Sequence, residues 1–239
     1  MKKDLLKTPP EIASYRNQRR SVGLLGIFLP FALILVSFTL GCTQIQPSIS
    51  QYFYTSAGML LVGVLCAVGL FLISYKGPQN IDDVVTNFAG VCALGIAFCP
   101  TGTDFSSKCL LFTYSDNATI ATAHYLFAAL FFISLAANSY FLFTRSDNSL
   151  ITEQKQIRNK IYRICGLLMI LFAALIPLGN INFFKQYLEG PYTTFILESL
   201  ALITFGISWL IKGDTFIQDE KNAKMVKAKE MDVVSSTAK

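Results

Sequence analysis

Six long apolar stretches separated by short polar connections leave this chain few ways to fold, because each approaches the roughly 20 residues an α-helix needs to cross a bilayer. They run at about Val22 to Cys42, Tyr54 to Tyr75, Val84 to Cys99, Ile120 to Phe143, Ile161 to Gly179 and Thr193 to Ile211. The third is the shortest, but Asn80-Ile81-Asp82-Asp83 ahead of it offers an N-cap and early acidic residues, which suit a helix start. With 53% hydrophobic and only 15% charged residues, the 239-residue chain has too little polar surface to wrap a water-soluble core. The expectation is an all-α integral membrane bundle of six transmembrane helices in one domain. Residues 1–21 form an N-terminal segment, 22–212 the membrane domain and 213–239 a mobile tail.

Charge orients the bundle. Eighteen of the 20 Lys and Arg residues fall on one side, in the N-terminal segment, at Lys76, from Arg145 to Arg163, and from Lys212 onward. Only Lys108 and Lys185 fall on the other. Positively charged connections stay in the cytoplasm, so both termini are expected there, in a bacterial cytoplasmic membrane. The same bias accounts for the net charge of +5 without a nucleic-acid partner. Aromatic residues at the stretch ends, among them Tyr75, Tyr140, Tyr162 and Trp209 inside and Tyr52, Tyr54, Phe184 and Tyr192 outside, read as an interfacial belt.

Thr8-Pro9-Pro10-Glu11 reads as a helix start, so a short cytoplasmic helix should lead into the first stretch. That stretch is too long for the core of a signal peptide. Thr39-Leu40-Gly41-Cys42 departs from a lipoprotein box at Thr39, where leucine is wanted. Ala89, Ala93 and Ala97, with Gly90 and Gly95, give the third helix a small-residue face for close packing, and so a central place. Pro30 and Pro177 should bend the first and fifth helices.

The only histidine, His124, and Glu198 enter the fourth and sixth helices at similar depth from the outer side. An ionisable group inside a membrane needs a partner, so the two form a candidate pair, either a ligand or proton site or a packing contact. Asn87 and Asn138 are candidates for an amide bond between helices. One histidine and no Cys-x-x-Cys spacing among the six cysteines argue against a zinc site, and no metal or other cofactor is expected. Cys99 and Cys109 flank the same outer connection and are a candidate disulfide. No Gly-x-Ser-x-Gly motif is present, so a serine nucleophile could be sought only among Ser48, Ser50, Ser56 and Ser199. Asn117-Ala118-Thr119 is a glycosylation sequon beside the fourth helix.

Three segments, Ser48-Ile49-Ser50-Gln51-Tyr52-Phe53-Tyr54-Thr55, His124-Tyr125 and Arg158-Asn159-Lys160-Ile161-Tyr162-Arg163-Ile164-Cys165-Gly166, resemble uncharacterised bacterial multi-pass membrane proteins. Pro47-Ser48-Ile49-Ser50 is also distantly similar to the first outer loop of the Frag/DRAM/Sfk-like six-helix proteins, which implies a lipid-related role. The CREST membrane hydrolases share polytopic architecture, but the chain departs from them in having one histidine where three metal ligands are wanted.

The functional expectation is a non-enzymatic bundle that binds membrane lipid or a small amphipathic ligand in its outer half, through His124, Glu198, Tyr52 and Tyr54. The alternatives are a proton-coupled transporter using the same pair, an intramembrane hydrolase with His124 as base, and a scaffold whose C-terminal tail recruits a cytoplasmic partner.

Overall fold

Helix α1 (Pro10–Thr39) runs unbroken for 30 residues with Pro30 inside it, so the basic lead-in and the first apolar stretch form one continuous helix, about 45 Å along its path. In this computed structural model, residues 10–102, 108–112, 117–145, 153–179, 181, 184, 188 and 190–213 are described. The remaining helices are α2 (Gly58–Ser74), α3 (Asn80–Phe98), α4 (Ala118–Ala137), α5 (Glu153–Leu178) and α6 (Thr193–Lys212). A π turn, Asn138–Leu142, prolongs α4, and a 3₁₀ turn, Ser50–Tyr54, precedes α2. Each helix packs on its neighbours in sequence, and α6 closes the ring against α1. The tail expected at 213–239 lies outside the described residues beyond Gly213, as does Lys185.

Five of these helices are long and apolar enough to cross a membrane, and α2 is a shorter apolar helix of 17 residues. Their outer surface fits that use. Leu24, Phe28, Phe31, Leu35 and Phe38 recur every three or four residues along α1 and are all exposed, a stripe that hydrocarbon solvates and water does not. The architecture is that of a multi-pass membrane protein. The α3 start differs by one residue from the sequence expectation: Gln79 is the N-cap, and its N–H donates to the Asp82 carboxylate at 3.0 Å.

Small residues set the closest approaches. A Cβ on Gly23 would come within 2.8 Å of the Gly206 carbonyl oxygen, and one on Gly90 within 2.6 Å of that of Gly69. The α1–α6 and α2–α3 pairs therefore meet backbone to backbone. Ala89, Ala93 and Ala97 are buried, and α3 lies between α2 and α4 as its small-residue face requires.

At the end of the bundle where α1 begins and α6 finishes, Trp209 packs edge-on against Tyr75 and Phe143 with ring centroids 5.3 and 5.4 Å apart. Phe143 meets Tyr162 in the same manner. Tyr75, Tyr162 and Trp209 are thus core residues, not members of an interfacial belt, because edge-on contacts among them and with Phe143 remove them from the surface. Arg19 and Lys212 lie over the Tyr75 and Phe143 rings at 5.3 and 4.8 Å. The expected Asn87–Asn138 bond does not form. The Asn87 amide nitrogen, turned toward α2, donates to the Ile73 carbonyl at 2.9 Å, while both side-chain polar atoms of buried Asn138 lack a partner.

Candidate functional site

At the opposite end, the loop end, the α1–α2 connection folds inward over the bundle. The chain can turn there because Gly41 adopts φ 93°, a left-handed conformation that glycine takes without steric cost. The Cys42 N–H then returns to the Ser37 carbonyl, and Cys42 forms a disulfide with Cys109 of the α3–α4 connection. This corrects the expected Cys99–Cys109 pairing. Cys99 caps the last turn of α3, where its N–H bonds the Gly95 carbonyl, and its thiol is free.

Residues 47–54 are held from several sides. Phe195 N–H donates to the Pro47 carbonyl, and Leu111 N–H to that of Tyr54, both at 2.9 Å. The Gln51 amide donates to the Gly102 carbonyl, and the Tyr54 hydroxyl to the Thr101 carbonyl, each at 2.5 Å. The Tyr52 hydroxyl accepts the Gln46 N–H, and burial raises its pKa above the ordinary tyrosine value. Tyr52 and Tyr54 are almost wholly enclosed. Both tyrosines pin the loop, and neither lines the cavity beneath it.

His124 and Glu198 do line that cavity, and they do not bond to each other. Each holds the same short segment between them. The Glu198 carboxylate accepts the Ile49 N–H at 2.5 Å and also the Ser50 N–H. His124 Nδ1 is 2.7 Å from the Cys99 carbonyl oxygen, and Nε2 is 3.0 Å from Ser50 Oγ. A carbonyl can only accept, so the neutral ring carries its proton on Nδ1 and presents a lone pair to the serine hydroxyl. His124 is buried, with 4% of its surface exposed.

The cavity, of about 60 Å³, is partly open and mainly apolar. Leu29 of α1, Leu65 of α2, Ala97 of α3, Phe131 of α4 and Leu202 of α6 contribute walls, while Ser50, His124 and Glu198 supply polar groups. That volume admits a few waters, at about 10–15 Å³ each, or a short apolar group. Among the described residues, no group of three His, Cys, Asp or Glu side chains is placed to hold a metal ion.

Ser50 is the site member that residue reading alone does not single out. It is one of four candidate serines, and 74 residues separate it from His124. Its place in Pro47-Ser48-Ile49-Ser50 is the one available signal. Asn117 of the sequon caps α4, its side chain accepting the Thr119 N–H at 3.0 Å. No protein-family model, curated protein or solved structure matches the chain.

Proposed function

We propose that this protein resides in a bacterial cytoplasmic membrane with both termini in the cytoplasm, and that its loop-end cavity binds a lipid or another small amphipathic molecule. The observation carrying the binding reading is that His124 and Glu198, from two different helices, hold Ile49 and Ser50 over one apolar cavity. Apolar walls with a few convergent polar groups suit a ligand with a hydrocarbon part and one polar end. The orientation draws support from chemistry independent of charge counting. The Cys42–Cys109 disulfide lies at the end away from Arg16, Arg19 and Arg20 at the start of α1 and Lys212 at the end of α6, and disulfides persist in oxidising compartments such as the periplasm.

Binding is tested by thermal unfolding of the detergent-purified protein across a panel of lysophospholipids of differing chain length and headgroup. The wild type should gain stability with some members, and Ala128→Phe, which fills the cavity wall, should lose that gain. Equal response of both proteins to every member would remove the binding reading. For orientation, an impermeant maleimide added to intact cells with the outer membrane permeabilised should label Tyr192→Cys and spare Arg145→Cys. The reverse pattern would invert the topology.

A further inference from the structure

The contact between His124 and Ser50 has the polarity that acyl chemistry requires. Ser50 Oγ lies 3.0 Å from Nε2, the ring nitrogen left basic once Nδ1–H is committed to the Cys99 carbonyl. A nucleophile, a base and a group that orients the base therefore stand in sequence. The orienting group is a backbone carbonyl where serine hydrolases commonly use a carboxylate. It fixes the ring but stabilises an imidazolium less, which points to slow turnover.

We propose that Ser50 and His124 hydrolyse a carboxylic ester whose apolar acyl chain enters the loop-end cavity, an inference that rests on the binding reading above. Ser50 Oγ attacks the ester carbonyl carbon as His124 Nε2 takes the hydroxyl proton. The carbon–oxygen bond to the alcohol breaks, His124 returns the proton to the departing alkoxide, and an acyl-serine remains. Water then attacks the acyl carbon, giving its proton to His124. The Ser50–acyl bond breaks, Ser50 recovers the proton, and the carboxylic acid leaves. Water is the sole co-reactant, and no electrons are transferred.

The site also holds donors for the oxygen that becomes negative. Backbone N–H groups of Ile49 and Ser50 already donate to a carboxyl oxygen, that of Glu198. An ester oxygen displacing that carboxylate would meet the same two donors, one of them belonging to the nucleophile itself. Leu65, Phe131 and Leu202 border the space beyond, so the acyl side of the substrate is hydrocarbon. The small volume selects short chains.

The test uses the full chain in detergent with a short-alkyl fluorophosphonate, the adduct mapped by tandem mass spectrometry, alongside hydrolysis of p-nitrophenyl butyrate. The adduct should sit on Ser50, and His124→Ala should lower both labelling and hydrolysis at least tenfold. Ser48→Ala, which removes only an acceptor for the Gln51 N–H, should keep both. The wild-type adduct position needs no variant, so misfolding of His124→Ala does not spoil the result. A wild type that lysophospholipid stabilises but that takes no adduct on Ser50 overturns the catalytic proposal and leaves binding intact. Absence of both adduct and stabilisation overturns the two together.

Discussion

Glu198 on α6 accepts the backbone N–H of Ile49 at 2.5 Å across 149 residues of sequence, tying the inward-folded loop to the last helix. Removing the acceptor leaves the N–H groups of buried Ile49 and of Ser50 without their partner, at a cost of about 1–3 kcal/mol each. Glu198→Ala should therefore lower the thermal midpoint measurably, and Glu198→Gln, which keeps one carbonyl acceptor, should lower it less. Equal losses in the two variants, measured side by side in the same detergent, would mean that the hydrogen bond does not hold the loop.

The Cys42–Cys109 bond closes a sequence separation of 67 residues. Constraint of the unfolded chain on that scale stabilises by roughly 2–4 kcal/mol. Cys42→Ser or Cys109→Ser should each cost that much, and reductant should destabilise the wild type alone. Cys99→Ser should leave the cross-link in place, as peptide mapping without reductant would reveal. A Cys99-containing disulfide in the wild type would contradict the loop arrangement.

Gly206 and Gly23 let α6 and α1 touch through their backbones. A leucine at 206 has no room without separating the helices, and such overpacking costs about 1–3 kcal/mol. Gly206→Leu should unfold earlier than wild type. Gly63→Leu is the matched control, since nothing lies within 4 Å of a Cβ at that exposed position, and it should show no loss. Similar behaviour of the two would undo the assigned α1–α6 contact.

Asn138 is buried to 1% exposure at the junction of α4 with its π turn, and neither polar atom of its side chain has a partner. An apolar residue of similar shape removes that desolvation cost. Asn138→Leu should be as stable as wild type or more so by about 1 kcal/mol. Marked destabilisation in thermal melts would reveal a polar contact for this side chain in the folded protein.

Depth along a helix is legible from residue counting. His124 and Glu198 lie near the starts of α4 and α6, and that alone places them at one level. Which groups face each other depends on helix rotation and on the path of the loops, and neither is written locally. The two side chains accordingly meet Ser50 and Ile49 rather than each other. The disulfide misleads in the same way: Cys99 and Cys109 are near in sequence, yet the turn at Gly41 brings Cys42 to Cys109. Tyr52, Tyr75, Tyr162 and Trp209 look interfacial from position, but pairing with other rings and with backbone groups buries them. The apolar helices themselves and the small-residue face of α3 are plain in the sequence, because length, hydrophobicity and four-residue spacing are local properties.

The most direct measurement is photocrosslinking of the purified protein with a lysophospholipid carrying a diazirine on a short acyl chain, followed by peptide mapping. Adducts should concentrate on the cavity walls, at Leu65, Ala97, Phe131 and Leu202, and should vanish in Ala128→Phe. Adducts confined to the lipid-facing stripe of Leu24, Phe28, Phe31 and Leu35, unchanged in Ala128→Phe, would contradict a ligand beneath Ile49 and Ser50.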